Sequence, residues 1–414
     1  MPGTAWLACP QCGRGESESY FGSACGTCGA LLELRIDPPE SAEELRTRFD
    51  GRRLTGGALA SGVWRYRELV LPTMPQQNVV TFPEGNTPLI RSERLRNVAG
   101  CEGLLIKHEG MNPTGSFKDR GMTVAISKAL ALGAKAVACA STGNTSASLA
   151  AYAAIAGLPA LVFVPAGKVA TGKLSQTLAH GARVVSVRGS FDDCLRLLRE
   201  ASDRLGVYVV NSVNPFRLAG QRSIIFELLH QLEWTVPDWI VLPAGNLGNT
   251  SAFGEALILA QRVGLIDRLP RLASVQAAGA APFAAAFRDG FRSHPTVEPE
   301  TIATAIRIGA PASWDRAVRA IRDTNGVALS VSDDEILAAK RAIDAAGIGC
   351  EPASAASLAG ITAMIRSGEI DPRARVVAVL TGHVLKDPDI VMSNAPALME
   401  IDPTLADVER VLAP

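Results

Sequence analysis

The sequence predicts an α/β fold: two open twisted α/β domains with a ligand site in the cleft between them, preceded by a small zinc-ribbon-like segment. Three observations carry that expectation. Apolar runs rich in Val, Ile and Ala recur along the chain, which is how strands buried on both faces of a parallel sheet read. Helical stretches alternate with them, as in sheets covered on both sides. Two C-x2-C pairs stand near the N-terminus.

The cysteine segment comes first. Cys9 and Cys12 form one pair and Cys25 and Cys28 the other, with twelve residues between the pairs. Each pair can curl into a knuckle that points two thiolates at one ion, and two knuckles supply the tetrahedral S4 set of a closed, structural Zn2+ site. Gly13 and Gly29 follow the second cysteine of each pair, where the turn favours a residue tolerant of positive φ. A rubredoxin-like iron site and redox-active thiol pairs are the alternatives. The remaining cysteines, Cys101, Cys139, Cys194 and Cys350, lie in apolar segments and read as reduced, packed thiols.

Residues 37 to about 78 are polar and charge-rich and read as an arm or a set of short helices. Strands are expected at 135–140, 160–164, 183–187, 207–210, 239–242, 272–276 and 376–380, and helices at 191–205, 220–232 and 333–346. So many strands exceed one compact sheet of usual size. The expected division is a ribbon at 1–36, an N-terminal arm and crossover at 37–105, a small α/β domain at 106–213 and a large one at 214–414. Residues 289–300 read as a surface loop.

Composition narrows the ligand class. The 414 residues carry 41 acidic and 41 basic side chains and only 5% aromatics, so neither a basic field nor stacking platforms favour nucleic acid or an anionic membrane. No leader-like segment and no span-length apolar run stands in the sequence. A soluble, cytoplasmic protein with a small-molecule ligand is expected, with a homodimer as the commonest assembly.

Lys118 lies in the run from Asn112 to Gly121, between a Pro113–Gly115 turn and a helix expected to begin near Asp119. A helix start offers unpaired N–H groups to an anion, and a desolvated lysine there can act as a neutral amine on an aldehyde. A lone lysine is ordinarily a solvated charge; its neighbours decide otherwise. Three strands end in small polar loops: Ser141–Ser146, Asn211–Arg217 and Pro243–Thr250. Such loops at the carboxyl ends of strands bind ligands in open α/β sheets, and Arg217 adds a guanidinium suited to phosphate. Each loop alone is ordinary turn and cap chemistry. Neither Gly115–Lys118 nor Gly172–Leu174 meets the Walker A pattern, which disfavours a nucleotide hydrolase. After the last strand, Thr381 can hydrogen-bond a ring nitrogen, while His383 reads as a structural hydrogen-bonding group.

Together these residues resemble the threonine synthase family of fold type II enzymes that use pyridoxal 5'-phosphate (PLP). The resemblance runs through Glu84–Leu89, Asn112–Gly121, Ala140–Thr145, Asn211–Arg217, Ala244–Asn249, Gln276–Pro282, Thr304–Gly309, Glu351–Ser357 and Thr381–Pro388. It implies a tryptophan synthase β-like fold with the PLP site in the cleft. It also implies that Lys118 holds PLP covalently, with Phe117 beside the ring and Asn144 on its 3'-oxygen. The loop Gly245, Asn246, Leu247, Gly248 and Asn249 would cradle the cofactor phosphate, and Thr381 would face the pyridine nitrogen. Ser141, Thr142 and Thr145 would bind the substrate carboxylate end, and Asn211, Ser212 and Arg217 the phosphate of O-phosphohomoserine. The implied reaction is γ-elimination of phosphate followed by addition of water at Cβ to give threonine.

Two positions depart from the family pattern. Ala310 stands where an asparagine is frequent, and Val384 where a glycine is usual; a β-branched residue there implies a reshaped turn. The alternatives are a relative acting on another phosphorylated amino acid such as O-phosphoserine, a threonine/serine dehydratase, or a PLP fold turned into a binding module. Retention of Lys118, Asn144 and the loop glycines speaks against the last.

Overall fold

The computed structural model describes residues 3–38, 40–167, 174–393 and 399–412. Gly172 and Lys173, tested above against the Walker pattern, lie outside the described residues. Strands β1 (Thr4–Ala8), β2 (Gly15–Glu16) and β3 (Glu33–Asp37) form an antiparallel sheet in the order β2-β1-β3. The knuckle turns close through Gly13 N–H to Cys9 O at 3.1 Å and Gly29 N–H to Cys25 O at 2.9 Å. Both glycines have positive φ, 72° and 75°.

The arm is less polar in space than in sequence. Ser41 and Glu44 form a reciprocal capping box that starts helix Ala42–Thr55, and Arg52 pairs with Glu68 at 2.6 Å. Beyond that helix, however, Val63, Trp64, Tyr66 and Leu69 are fully buried. Trp64 donates its indole N–H to Thr123 Oγ1 at 2.8 Å. The charges that made this stretch read as a solvated arm pair with one another, while the aromatic residues between them dock on the body.

Strands β4 (Leu89–Ile90), β5 (Gly103–His108), β10 (Trp239–Pro243), β11 (Arg271–Ala277), β12 (Val327–Val331) and β13 (Arg375–Leu380) form a six-stranded sheet. Its order is β12-β11-β10-β13-β5-β4, parallel except for β4 against β5. A second sheet, β6 (Ala136–Ala140), β7 (Ala160–Pro165), β8 (Arg183–Val187) and β9 (Val207–Val209), is wholly parallel in the order β8-β7-β6-β9. The expected strands therefore fall in two sheets. Strand β5 runs across the boundary expected at 105/106, because its partner is β13. The helix expected at 220–232 begins earlier, at Pro215. Asn214 caps it by accepting from Phe216 N and Arg217 N, and a proline at the first position suits the start.

Helices Lys118–Ala131 and Pro215–Gln231 cross in close contact between the sheets. A Cβ on Gly220 would lie 2.0 Å from Arg120 O, and one on Gly121 would lie 2.8 Å from Arg217 O. Two glycines facing each other's backbone thus let the helices approach closely, setting the start of one beside the start of the other. Below them Arg120 is fully buried and bonded to Glu109 at 2.6 Å and Glu227 at 2.7 Å. Lys107 reaches Glu227 at 2.6 Å. Burial alone would raise the Glu227 carboxyl; Arg120 and Lys107 hold it well below the usual carboxylate range. This charge-satisfied cluster fixes β5 and both helices to one another.

Candidate active site

The carboxyl ends of β6, β9, β10 and β13 open on one cleft with a cavity of about 1560 Å³. Lys118 is the first residue of its helix. The loop before it is tied down on two sides. Phe117 N–H donates to Thr381 O at 3.0 Å, and Ser116 bridges to Gly382. Asp119 accepts from Thr114 N at 2.7 Å, Thr114 Oγ1 at 2.6 Å and Ser148 Oγ at 2.6 Å. The Lys118 Nζ lies 4.0 Å from the Phe117 ring centroid. Burial, with the Arg217 charge second, lowers its pKa to about 7 against the opposing pull of Glu351. A lysine so placed is available as a neutral nucleophile near neutral pH.

The loop after β6 delivers Ser141, Thr142, Asn144 and Thr145 to the cleft. Asn144 begins helix Asn144–Ala156 and donates from Nδ2 to Glu351 Oε2 at 2.9 Å. Opposite it, Thr381 Oγ1 lies 3.0 Å from Ser354 Oγ and 3.4 Å from Glu351 Oε1. Glu351 thus bridges the two residues expected to address the ring of a cofactor, and burial raises its pKa. Sequence reading gave it no role. The available signal was a glutamate directly before Pro352 at a helix start.

The loop after β10 has the geometry of an anion cradle. Leu247 takes φ 62° and leads into helix Gly248–Arg262, so the first N–H groups of that helix face the cleft. Asn246 is held by Ser313 N–H to its carbonyl at 3.2 Å and Ala312 N–H to its Oδ1 at 3.3 Å. A Cβ on Gly245 would come within 3.0 Å of Ile306 Cα and 3.4 Å of Ala305 O, so glycine keeps the cradle open. Asn249 Oδ1 is buried and has no hydrogen-bond partner among the described residues.

Across the cleft Arg217 is 1% exposed. Its Nη1 donates to Val210 O at 2.9 Å, and its Nε is buried without a partner among the described residues. Burial lowers its pKa to about 10, so it stays charged at neutral pH. Gln221, one turn on, also lines the cleft, its buried Oε1 without a partner among the described residues and 3.5 Å from where Gly248 would carry a Cβ; sequence reading missed it. Ser212 lines the same wall. Asn211 does so too, but its amide is engaged with the Ala140 backbone, accepting at 3.1 Å and donating at 3.2 Å. His383 accepts from Leu385 N–H at 3.2 Å and donates its own N–H to Gly115 O, a structural use.

Val384 does not take positive φ. It opens a short 3-10 turn, and its Cβ lies 3.2 Å from where Gly349 would carry one. Gly349, at φ 71°, leaves the room that the valine fills. Ala310 is exposed at the edge of the cleft.

The residues fit PLP on their own chemistry: an amine of lowered pKa, a backbone cradle that a side chain would fill, and polar groups on opposite sides of the space between. The four N-terminal cysteines fit a metal. Their Sγ atoms all lie within 4.8 Å of one another, with Cys9 to Cys28 at 3.4 Å and Cys12 to Cys25 at 3.7 Å. A tetrahedral Zn–S4 site has sulfur separations of about 3.8 Å.

Residues 80–382 match the family described as pyridoxal-phosphate dependent enzyme. A threonine synthase from Methanosarcina acetivorans is 46% identical over 93% of this chain and 93% of its own. One from Methanocaldococcus jannaschii is 43% identical over 98% of both. The chain belongs to the threonine synthase family. The solved threonine synthase of Escherichia coli, at 19% identity, superposes with a TM-score of 0.73 over 99% of this chain and 95% of that one. A threonine deaminase of Solanum lycopersicum, 20% identical, gives 0.65 over 87% of this chain and 98% of that one. These two likenesses speak for the fold alone. Family membership implies a PLP-dependent site in this chain.

Proposed function

We propose that this chain converts O-phosphohomoserine and water to threonine and phosphate. The observation that carries the reading is the second anion pocket. The cleft holds a glycine cradle for one phosphate and, on the loop after another strand, a buried guanidinium whose Nε has no partner among the described residues. A dehydratase acting on free serine or threonine has no use for that charge. Relatives named threonine synthase, matching over nearly the whole chain, favour the same reading.

PLP, when bound, supplies an electron sink for the charge left as protons leave the substrate. Lys118, released from the cofactor, is the base for those protons, since its pKa is set near neutrality. Ser141, Thr142 and Thr145 orient the carboxylate end. Arg217, with Ser212, binds the γ-phosphate and offsets the charge that grows as it departs. Asn211, oriented by its two hydrogen bonds to Ala140, keeps a second amide N–H for the same phosphate. Asn144, Glu351 and Thr381 orient the ring. Zn2+ at Cys9, Cys12, Cys25 and Cys28 belongs to the same reading, as does a cytoplasmic homodimer. No helix among the described residues is long and apolar enough to cross a membrane, and exposed Leu405 and Leu412 near the C-terminus offer apolar surface to a second copy. Light scattering that returns the monomer mass would remove the dimer.

The deciding experiment incubates PLP-loaded protein with O-phosphohomoserine and, separately, O-phosphoserine, following threonine by mass spectrometry and phosphate by a colour assay. Equal release of threonine and phosphate from the first substrate is expected. Turnover of O-phosphoserine alone would overturn the assignment while keeping the cofactor.

A further inference from the structure

We propose that the four-cysteine segment is a metal-organised wall of the substrate cleft, so that zinc bound there sets substrate affinity. The inference rests on the substrate reading above and adds to it a role for residues far from the cofactor. Its first support is position. Tyr20, Phe21, Gly22, Ser23 and Ala24, which lie between the two cysteine pairs, line the same cavity as Lys118 and Arg217.

The second support is attachment at both sides. Strand β3, just after the second knuckle, is fastened to the large-sheet unit. Arg316 donates to Leu32 O at 2.6 Å, Arg222 to Leu34 O at 2.8 Å and Arg262 to Ile36 O at 2.5 Å. The Phe21 ring meets Tyr208 of β9 in the small sheet edge-to-face, with centroids 5.1 Å apart. Tyr208 is buried, and its strand leads directly into Asn211, Ser212 and Arg217. The segment therefore reaches from one sheet unit to the other along the cleft.

The third support is how the stretch between the pairs is shaped, tied to the body through Glu18, which pairs with Lys128 at 3.2 Å, and closed on the cysteines. Between the pairs, Tyr20 folds back to donate to Ala24 O at 3.2 Å over Gly22, where a Cβ would strike the ring at 2.7 Å. Ser23 O accepts from Leu32 N–H and Cys25 N–H bonds to Ala30 O. A segment this small lacks an apolar core of its own, and a metal is the usual substitute. Four thiolates at tetrahedral spacing supply that cross-link. Without the ion the knuckles lose their common centre, and Phe21 loses the frame that presses it on Tyr208.

The test uses the full-length, PLP-loaded protein. Metal content is measured by mass spectrometry, and KM and kcat for O-phosphohomoserine are compared in three samples. These are the native protein, protein treated with a zinc chelator under reducing conditions, and the Phe21→Ala variant, which keeps all four thiolates. We expect one zinc per chain in the native protein. In both altered samples KM should rise about tenfold, the effect of losing about 1.4 kcal/mol of positioning, with kcat and the cofactor's visible absorbance unchanged. Returning zinc should restore the chelated sample but not Phe21→Ala. Less than half an ion per chain, an unchanged KM after chelation, or a Phe21→Ala variant with native KM would each overturn the proposal. If the native protein does not turn over O-phosphohomoserine, the substrate reading fails instead. The wall is then scored by titrating inorganic phosphate against cofactor fluorescence with and without the metal, and equal affinities would sink it.

Discussion

Two pockets in one cleft are suited to phosphate by different means. The cradle at Gly245–Asn249 uses backbone N–H groups at a helix start and carries no formal charge. The Arg217 pocket uses a single buried guanidinium set by an Asn214 cap and a close helix crossing. Backbone donors are fixed by the fold and suit a resident group that need not leave. A charge suits a group whose own charge grows as it departs, because the gain is largest late in the reaction. On the function proposed above, the contrast separates a pocket that retains a cofactor from one that drives a step.

The sharpest way to break this contrast is Lys118→Ala. Turnover should vanish, while PLP still binds reversibly in the cradle, as dialysis followed by absorbance will reveal. Residual threonine formation would remove Lys118 from its role. Next in size, Arg217→Met should lower kcat/KM by about 100- to 1000-fold, the cost of truncating one partner of a buried charge-assisted contact. Cofactor content should stay full. Loss of cofactor from that variant would show that the pockets are not separate. Conversely, Gly245→Val crowds Ile306 and Ala305 and should weaken PLP binding about 10- to 100-fold, a small-to-large penalty of about 1–3 kcal/mol, read by equilibrium dialysis.

The pockets also communicate through Lys118. Its neutral form is the nucleophile, and its pKa is lowered to about 7 by burial and then by Arg217. The rate of cofactor attachment to the cofactor-free protein should therefore rise tenfold per pH unit below about 7 and level off above. In Arg217→Met the plateau should begin at higher pH. A flat profile from pH 5 to 9 would contradict the lowered pKa. The smallest effect is expected for Val384→Gly. Because Gly349 already accommodates the valine, kcat/KM should stay within about threefold, near the noise of a surface substitution.

Much of this was legible in the sequence. Strands β6, β7, β9, β10, β11 and β13 read as apolar runs because parallel strands bury both faces, and β8 does so as a Val-rich edge strand. Lys118 stood out because turn residues and a helix start converge on it. Other parts depended on partners distant in the chain. Strand β5 ends in Lys107 and His108, which look solvated until Glu227 is placed 2.6 Å from Lys107. Glu351 gains a role only when Asn144 and Thr381 meet it. Asn211 reads as a ligand in sequence, and only the fold adds that its amide also completes the hydrogen bonding of β6 at Ala140. Phe21 gave no hint of the cleft, since Tyr208 lies on another sheet.

The pairing of β5 with β13 has a consequence for how the chain is made. Gly103 sits opposite Arg375, so β5 leaves the ribosome long before its neighbour exists. At about 5–20 residues per second the wait is roughly 15–50 s. The β6–β9 sheet, contiguous in the chain, can assemble during that interval. Chaperone demand should therefore fall on the exposed edge of β5 in nascent chains, and chains truncated before residue 375 should aggregate through it while their small sheet is already protected from hydrogen exchange.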